Sequence, residues 1–119
     1  MKITRIFADE KGESHFQDLQ STDLGDNQIE NKVTLPVNAL TFRETTTDKR
    51  GWHCAPKPQF VVLLDGLVEV QTSDGEVRQF KGGDILLAED TFGKGHLTKV
   101  LSKGPRRSLF IPFHSHEKK

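Results

Sequence analysis

The stretch "LVEVQTSDGEVRQF", residues 67–80, decides the fold class. Two runs of alternating apolar and polar residues flank Asp74-Gly75. Alternation with a period of two belongs to a strand, because successive side chains leave opposite faces. An Asp-Gly pair supplies the positive φ that a tight hairpin turn requires. The segment is therefore a β-hairpin. The same pattern repeats outward from it. "QFVVLLDG", residues 59–66, is a continuous apolar strand ended by Asp65-Gly66. "KGGDILLAED", residues 81–90, is a turn and then a strand, and "HLTKVLS" (96–102) and "RRSLFIPF" (106–113) are two more. At the N-terminus, "KITRIF" (2–7) precedes a Gly12 turn, with "ESHF" (13–16) as the returning strand. Phe16 and Leu19 are spaced for one helical turn, in a segment too short to carry a helix. Residues 21–32 are polar and look like a loop. "VNALTFRETTT", residues 37–47, has strand composition and no stripe of period 3.6.

Seven or eight short strands at a spacing of ~8–12 residues, with glycine-rich turns, predict an all-β antiparallel sandwich or barrel. The length of 119 residues suits one domain. Lys plus Arg and Asp plus Glu are 17 each, so the formal net charge is zero. This balance argues against a nucleic-acid binder and against adhesion to an acidic membrane. Cys54 stands alone, so no intrachain disulfide forms. The longest purely apolar run, "FVVLL" (60–64), is far short of the ~20 residues of a membrane helix. No apolar signal-peptide core is visible near the start, and a soluble cytoplasmic protein is the expectation.

Strand parity selects the inward polar residues. Gln59, Val61 and Leu63 share one face of their strand. His96, Thr98 and Val100 share another; Lys99, on the opposite face, belongs in water, so His96 points inward. His53 has the parity of Gln59 if residues 53–59 are extended, although Pro56 and Pro58 interrupt that count.

These residues lie in segments that resemble the two motifs of the cupins. Against G-x5-H-x-H-x3-4-E-x6-G, the chain has His53-Cys54-Ala55, three residues, Gln59, six residues and Gly66. Against G-x5-7-P-x-G-x2-H-x3-N, it has Gly83, seven residues, Thr91-Phe92-Gly93, two residues, His96, three residues and Val100. The resemblance covers residues ~37–113 and implies an antiparallel double-stranded β-helix, the jelly-roll barrel. The whole chain, 1–119, is then a single cupin-like domain, with an N-terminal strand pair within 1–20. It also implies a homodimer paired through a sheet edge.

The family holds a divalent metal on three histidines and a glutamate. Here Ala55 replaces one histidine and Gln59 the glutamate, leaving His53, Gln59 and His96. Two readings stay open beside a third, a vestigial pocket in a barrel that serves only as an interaction domain. In one, these three hold Fe, Ni, Zn or Mn, and the protein is a metal-dependent enzyme, of oxygenase or isomerase type, acting on a small polar substrate. In the other, the same side chains hydrogen-bond a small polar ligand without metal. Glu44 and Glu69 are candidate general bases only if they face inward. Arg43, if inward, is a partner for an acidic ligand. Trp52 and Phe92 are candidate ligand-covering aromatics; the alternative for Trp52 is an exposed or interface aromatic, and that for Phe92 is barrel-end packing. Cys54 is expected to be a small buried residue rather than a nucleophile. "GKG" (93–95) lacks the rest of a phosphate loop. "HSH" (114–116) lies in a polar tail that cannot preorganise ligands.

Overall fold

The structure, a computed structural model, describes residues 1–25, 32–46 and 51–114. The strands are β1 (Lys2–Ala8), β2 (Ser14–Gln20), β3 (Thr41–Thr45), β4 (Gln59–Leu63), β5 (Leu67–Thr72), β6 (Val77–Lys81), β7 (Ile85–Ala88), β8 (His96–Val100) and β9 (Arg106–Pro112). A 3-10 turn occupies Ser21–Leu24. Among the described residues no helix is long and apolar enough to cross a membrane.

The strands form two sheets, one of six strands in the order β2-β1-β7-β4-β9-β3 and one of three in the order β6-β5-β8. The all-β expectation holds. The sheets do not close into a barrel: β2 and β3 end the large sheet, and β6 and β8 end the small one. Pairing is antiparallel except between β1 and β7, which run parallel with Thr4 beside Leu86 and Ile6 beside Ala88. That exception corrects the all-antiparallel expectation. It arises because the N-terminal hairpin extends the large sheet beside β7.

The β5–β6 hairpin closes through a loop of residues 73–75. Thr72 N–H donates to the Glu76 carbonyl at 3.0 Å, and Gly75 takes a φ of 97°. The Asp74 carboxylate accepts from the Thr72 hydroxyl at 2.6 Å and from the Glu76 N–H at 3.1 Å. Asp-Gly thus contributes a side-chain acceptor as well as a backbone conformation.

The core lies between the sheets. Ile6, Phe16, Val61, Leu63 and Leu86 face it from the large sheet, and Val68, Val70 and Phe80 from the small one. Each such side chain contributes about 1.5–3 kcal/mol by leaving water. The Phe16 and Phe80 rings sit 6.1 Å apart and tie β2 to β6. Phe16 and Leu19 lie in a strand rather than a helical turn, because β2 pairs with β1 along its full length. The segment beginning at Val37 enters a strand at Thr41; Thr47 lies outside the described residues.

Candidate functional site

A cavity of about 670 Å³ opens between the sheets. It falls within the range of small-molecule sites, about 300–1,000 Å³. Sheet register explains its lining. Gln59 stands opposite Ala88 on one side and Pro112 on the other, and Ala88 stands beside Ile6. Two residues along, Val61 stands between Leu86 and Phe110, and Phe110 faces Thr41. Two further along, Ser108 stands opposite Arg43. These successive rows line the cavity from the large sheet, and Val70, His96 and Thr98 line it from the small one. The parity argument for Gln59 and for His96 is met: both are buried and both line the cavity.

His53 reaches the same cavity by a different route. It lies outside any strand, but its N–H donates to the His96 carbonyl at 3.0 Å and its carbonyl accepts from the His96 N–H at 2.9 Å. This isolated bridge puts the two imidazoles side by side, with centroids 4.7 Å apart. Gly95 makes the approach possible. Its φ is 76°, and a Cβ there would stand 2.3 Å from the His53 carbonyl oxygen. A side chain at 95 would therefore meet both strain and a backbone clash.

Each imidazole is held through Nδ1. His53 Nδ1 lies 2.9 Å from the Gly51 carbonyl, an acceptor, so that nitrogen carries the proton. His96 Nδ1 lies 2.6 Å from Oδ2 of Asp90, whose side chain is fully buried. Donation to that carboxylate leaves Nε2 of neutral His96 as the acceptor. The Asp90 carbonyl accepts from the Ala55 N–H at 3.0 Å, which ties the two motif segments together. Its Oδ1 is buried without a hydrogen-bond partner.

The donors fit a resident divalent metal poorly. Among the described residues no group of three or more His, Cys, Asp or Glu is placed to hold one. Two imidazoles and the Gln59 amide bring no negative charge, and Asp90 spends one oxygen on His96. Arg43, Lys57 and Arg106 line the same cavity, and among the described residues no Asp or Glu does.

The other candidates separate clearly. Arg43 lines the cavity, its guanidinium 4.8 Å from the centre of the Phe110 ring. Glu44 and Glu69 do not line it: Glu44 is opposite Arg107 on β9, and Glu69 lies between Gln79 and Lys99 on the face away from Val68 and Val70. Trp52 and Phe92 are 48% and 53% exposed and stand outside the lining. Cys54 is half-buried, its thiol 3.3 Å from the Gly93 carbonyl. His114 is exposed; residues 115–116 of "HSH" lie outside the described residues.

Three residues that the sequence reading passed over belong to the site: Asp90, Lys57 and Arg106. Arg106 had a usable signal, since counting by twos from Pro112 through Phe110 and Ser108 reaches it. Asp90 had none, because its loop has no period. In comparison with known proteins, the sequence matches no family model and no curated protein.

Proposed function

We propose that the protein binds a small polar molecule in the cavity between its sheets, and that it is a cupin of jelly-roll type. One observation carries the binding reading. His53, Gln59 and His96, from three separate segments, line a single cavity of about 670 Å³. The spacing of both motifs and the two-sheet architecture support the family reading. Gln59 brings both an amide donor and a carbonyl acceptor, and each histidine, when neutral, brings an acceptor nitrogen. The apolar wall of Val61, Leu86 and Phe110 would hold a ligand's body while these groups orient it.

Crystallographic screening with small neutral and charged fragments tests this. Fragments should accumulate beside His53, Gln59 and His96. A screen that populates only other surfaces removes the reading.

The metal-enzyme alternative draws on the Asp90–His96 pair, since metal-bound histidines usually donate their second nitrogen to a carboxylate. Against it stand the uncharged donors and the absence of Glu44 and Glu69 from the cavity. Elemental analysis of untagged protein, reconstituted with Fe, Ni, Zn or Mn, decides between them. The binding reading expects far less than one metal per chain. Near one per chain, lost in His96→Ala, would reverse the choice.

A further inference from the structure

We propose that the ligand is a small organic anion whose carboxylate or phosphate group pairs with Arg43, which rests on the pocket reading above and names its ligand class. Although the chain as a whole is neutral, the described lining of the cavity is not: Arg43, Lys57 and Arg106 line it, together with two histidines and, among the described residues, no acidic one. Surface carboxylates of this protein are otherwise well matched with cations, as in Arg5–Glu89, Arg78–Asp18 and Arg107–Asp65. No such ion pair engages Arg43 or Lys57 among the described residues. A guanidinium left without a carboxylate in a concave, partly apolar site favours an anion from solution, which it can grip with two parallel N–H donors.

Geometry sharpens the class. Arg43 is opposite Ser108 on β9, and Gln59 is opposite Pro112 on the same strand. Four residues of strand rise separate those rows by about 13 Å. Val61, Leu86 and Phe110 occupy the row between them, so the wall is apolar in the middle and polar at both ends. The Phe110 ring under the Arg43 guanidinium, at 4.8 Å, presents the charge at the end of that apolar wall. A ligand that fills this space has an apolar body with an anionic group at the Arg43 end. Its far end meets Gln59 and the two histidines.

The test is an NMR titration of the full-length chain with benzoate and phenyl phosphate, and with neutral benzamide as the control. At least one of the two anions should perturb amides of β3, β4 and β9 and bind about tenfold more tightly than benzamide. Its affinity should fall as sodium chloride is raised. Arg43→Gln, an exposed position on an edge strand, should weaken the anion about tenfold and weaken benzamide far less. Equal binding of benzamide and both anions at these amides, or unchanged anion affinity in Arg43→Gln, overturns the anion assignment while the pocket reading stands. Failure of all three probes to perturb cavity amides overturns both.

Discussion

Asp90 decides which nitrogen His96 offers to the cavity. Its Oδ2 accepts a hydrogen bond from Nδ1–H, with nitrogen and oxygen 2.6 Å apart, in a place closed to solvent, so the tautomer follows from one buried contact. Asp90→Ala leaves a buried N–H without an acceptor, at a cost of roughly 1–3 kcal/mol. Urea unfolding should report that loss. Nitrogen NMR of the imidazole should also show His96 shifting toward its other tautomer. A variant with wild-type stability and an unaltered His96 spectrum would mean the contact is not made. Gly95 acts at the same scale, by omitting a side chain so that the His53 backbone can bond to His96.

At the scale of elements, β4 is the strand whose alternation organises both the core and the site. Gln59, Val61 and Leu63 are buried, whereas Leu64, just past the strand end, is 47% exposed. Chemically identical leucines one position apart should therefore differ sharply. Leu63→Ala should cost about 2–5 kcal/mol, and Leu64→Ala within about 0.5 kcal/mol, measured by urea unfolding. Equal losses would contradict the assigned faces. This alternation was legible in "QFVVLL" because a period of two needs no partner to be recognised. The route of His53 into the cavity was not legible. Pro56 and Pro58 break the count, and its position depends on bonds to a strand more than forty residues away. Arg43 was legible as one of two adjacent charges, but its inward face became clear only through pairing with Ser108.

At the scale of the whole molecule, His15 fastens the two sheets together. From β2 it places Nδ1 2.9 Å from Asp74, in the β5–β6 loop, and Nε2 2.8 Å from Asp9, in the β1–β2 turn. Both nitrogens can donate only when the ring is charged. The hydrogen bond to Asp9 raises the His15 pKa above its ordinary 6.5, against the lowering effect of burial, and Asp74 adds to the rise. Asp9 is lowered, chiefly by its bond from His15. Asp74 is lowered too: burial opposes this, but hydrogen bonds from Thr72, Glu76 and His15 outweigh it. Because folded His15 holds its proton more tightly than the unfolded chain does, its contribution is complete below about pH 6.5 and is lost as pH rises through its raised folded value. The two aspartates contribute above about 3.8, and their share is lost as pH falls through their lowered folded values. Wild type should therefore lose stability relative to His15→Gln as pH increases from about 6.5 into the alkaline range. Parallel denaturation midpoints across that range would mean the pair of carboxylates does not hold the charged ring.

The sequence by itself determined the strands, their turns and the inward faces of Gln59 and His96, because period-two alternation and Asp-Gly or glycine turns act over a few residues. It also carried the spacing on which the cupin resemblance rests. Only the tertiary structure decided the parallel seat of β1 beside β7 and the open edges of the two sheets. It also decided the Asp90 buttress, the His15 clamp and the gathering of Arg43, Lys57 and Arg106 around one cavity. Each of these depends on register between segments distant in the chain. A neutral composition cannot reveal that, among the described residues, cations line the cavity while the carboxylates lie elsewhere.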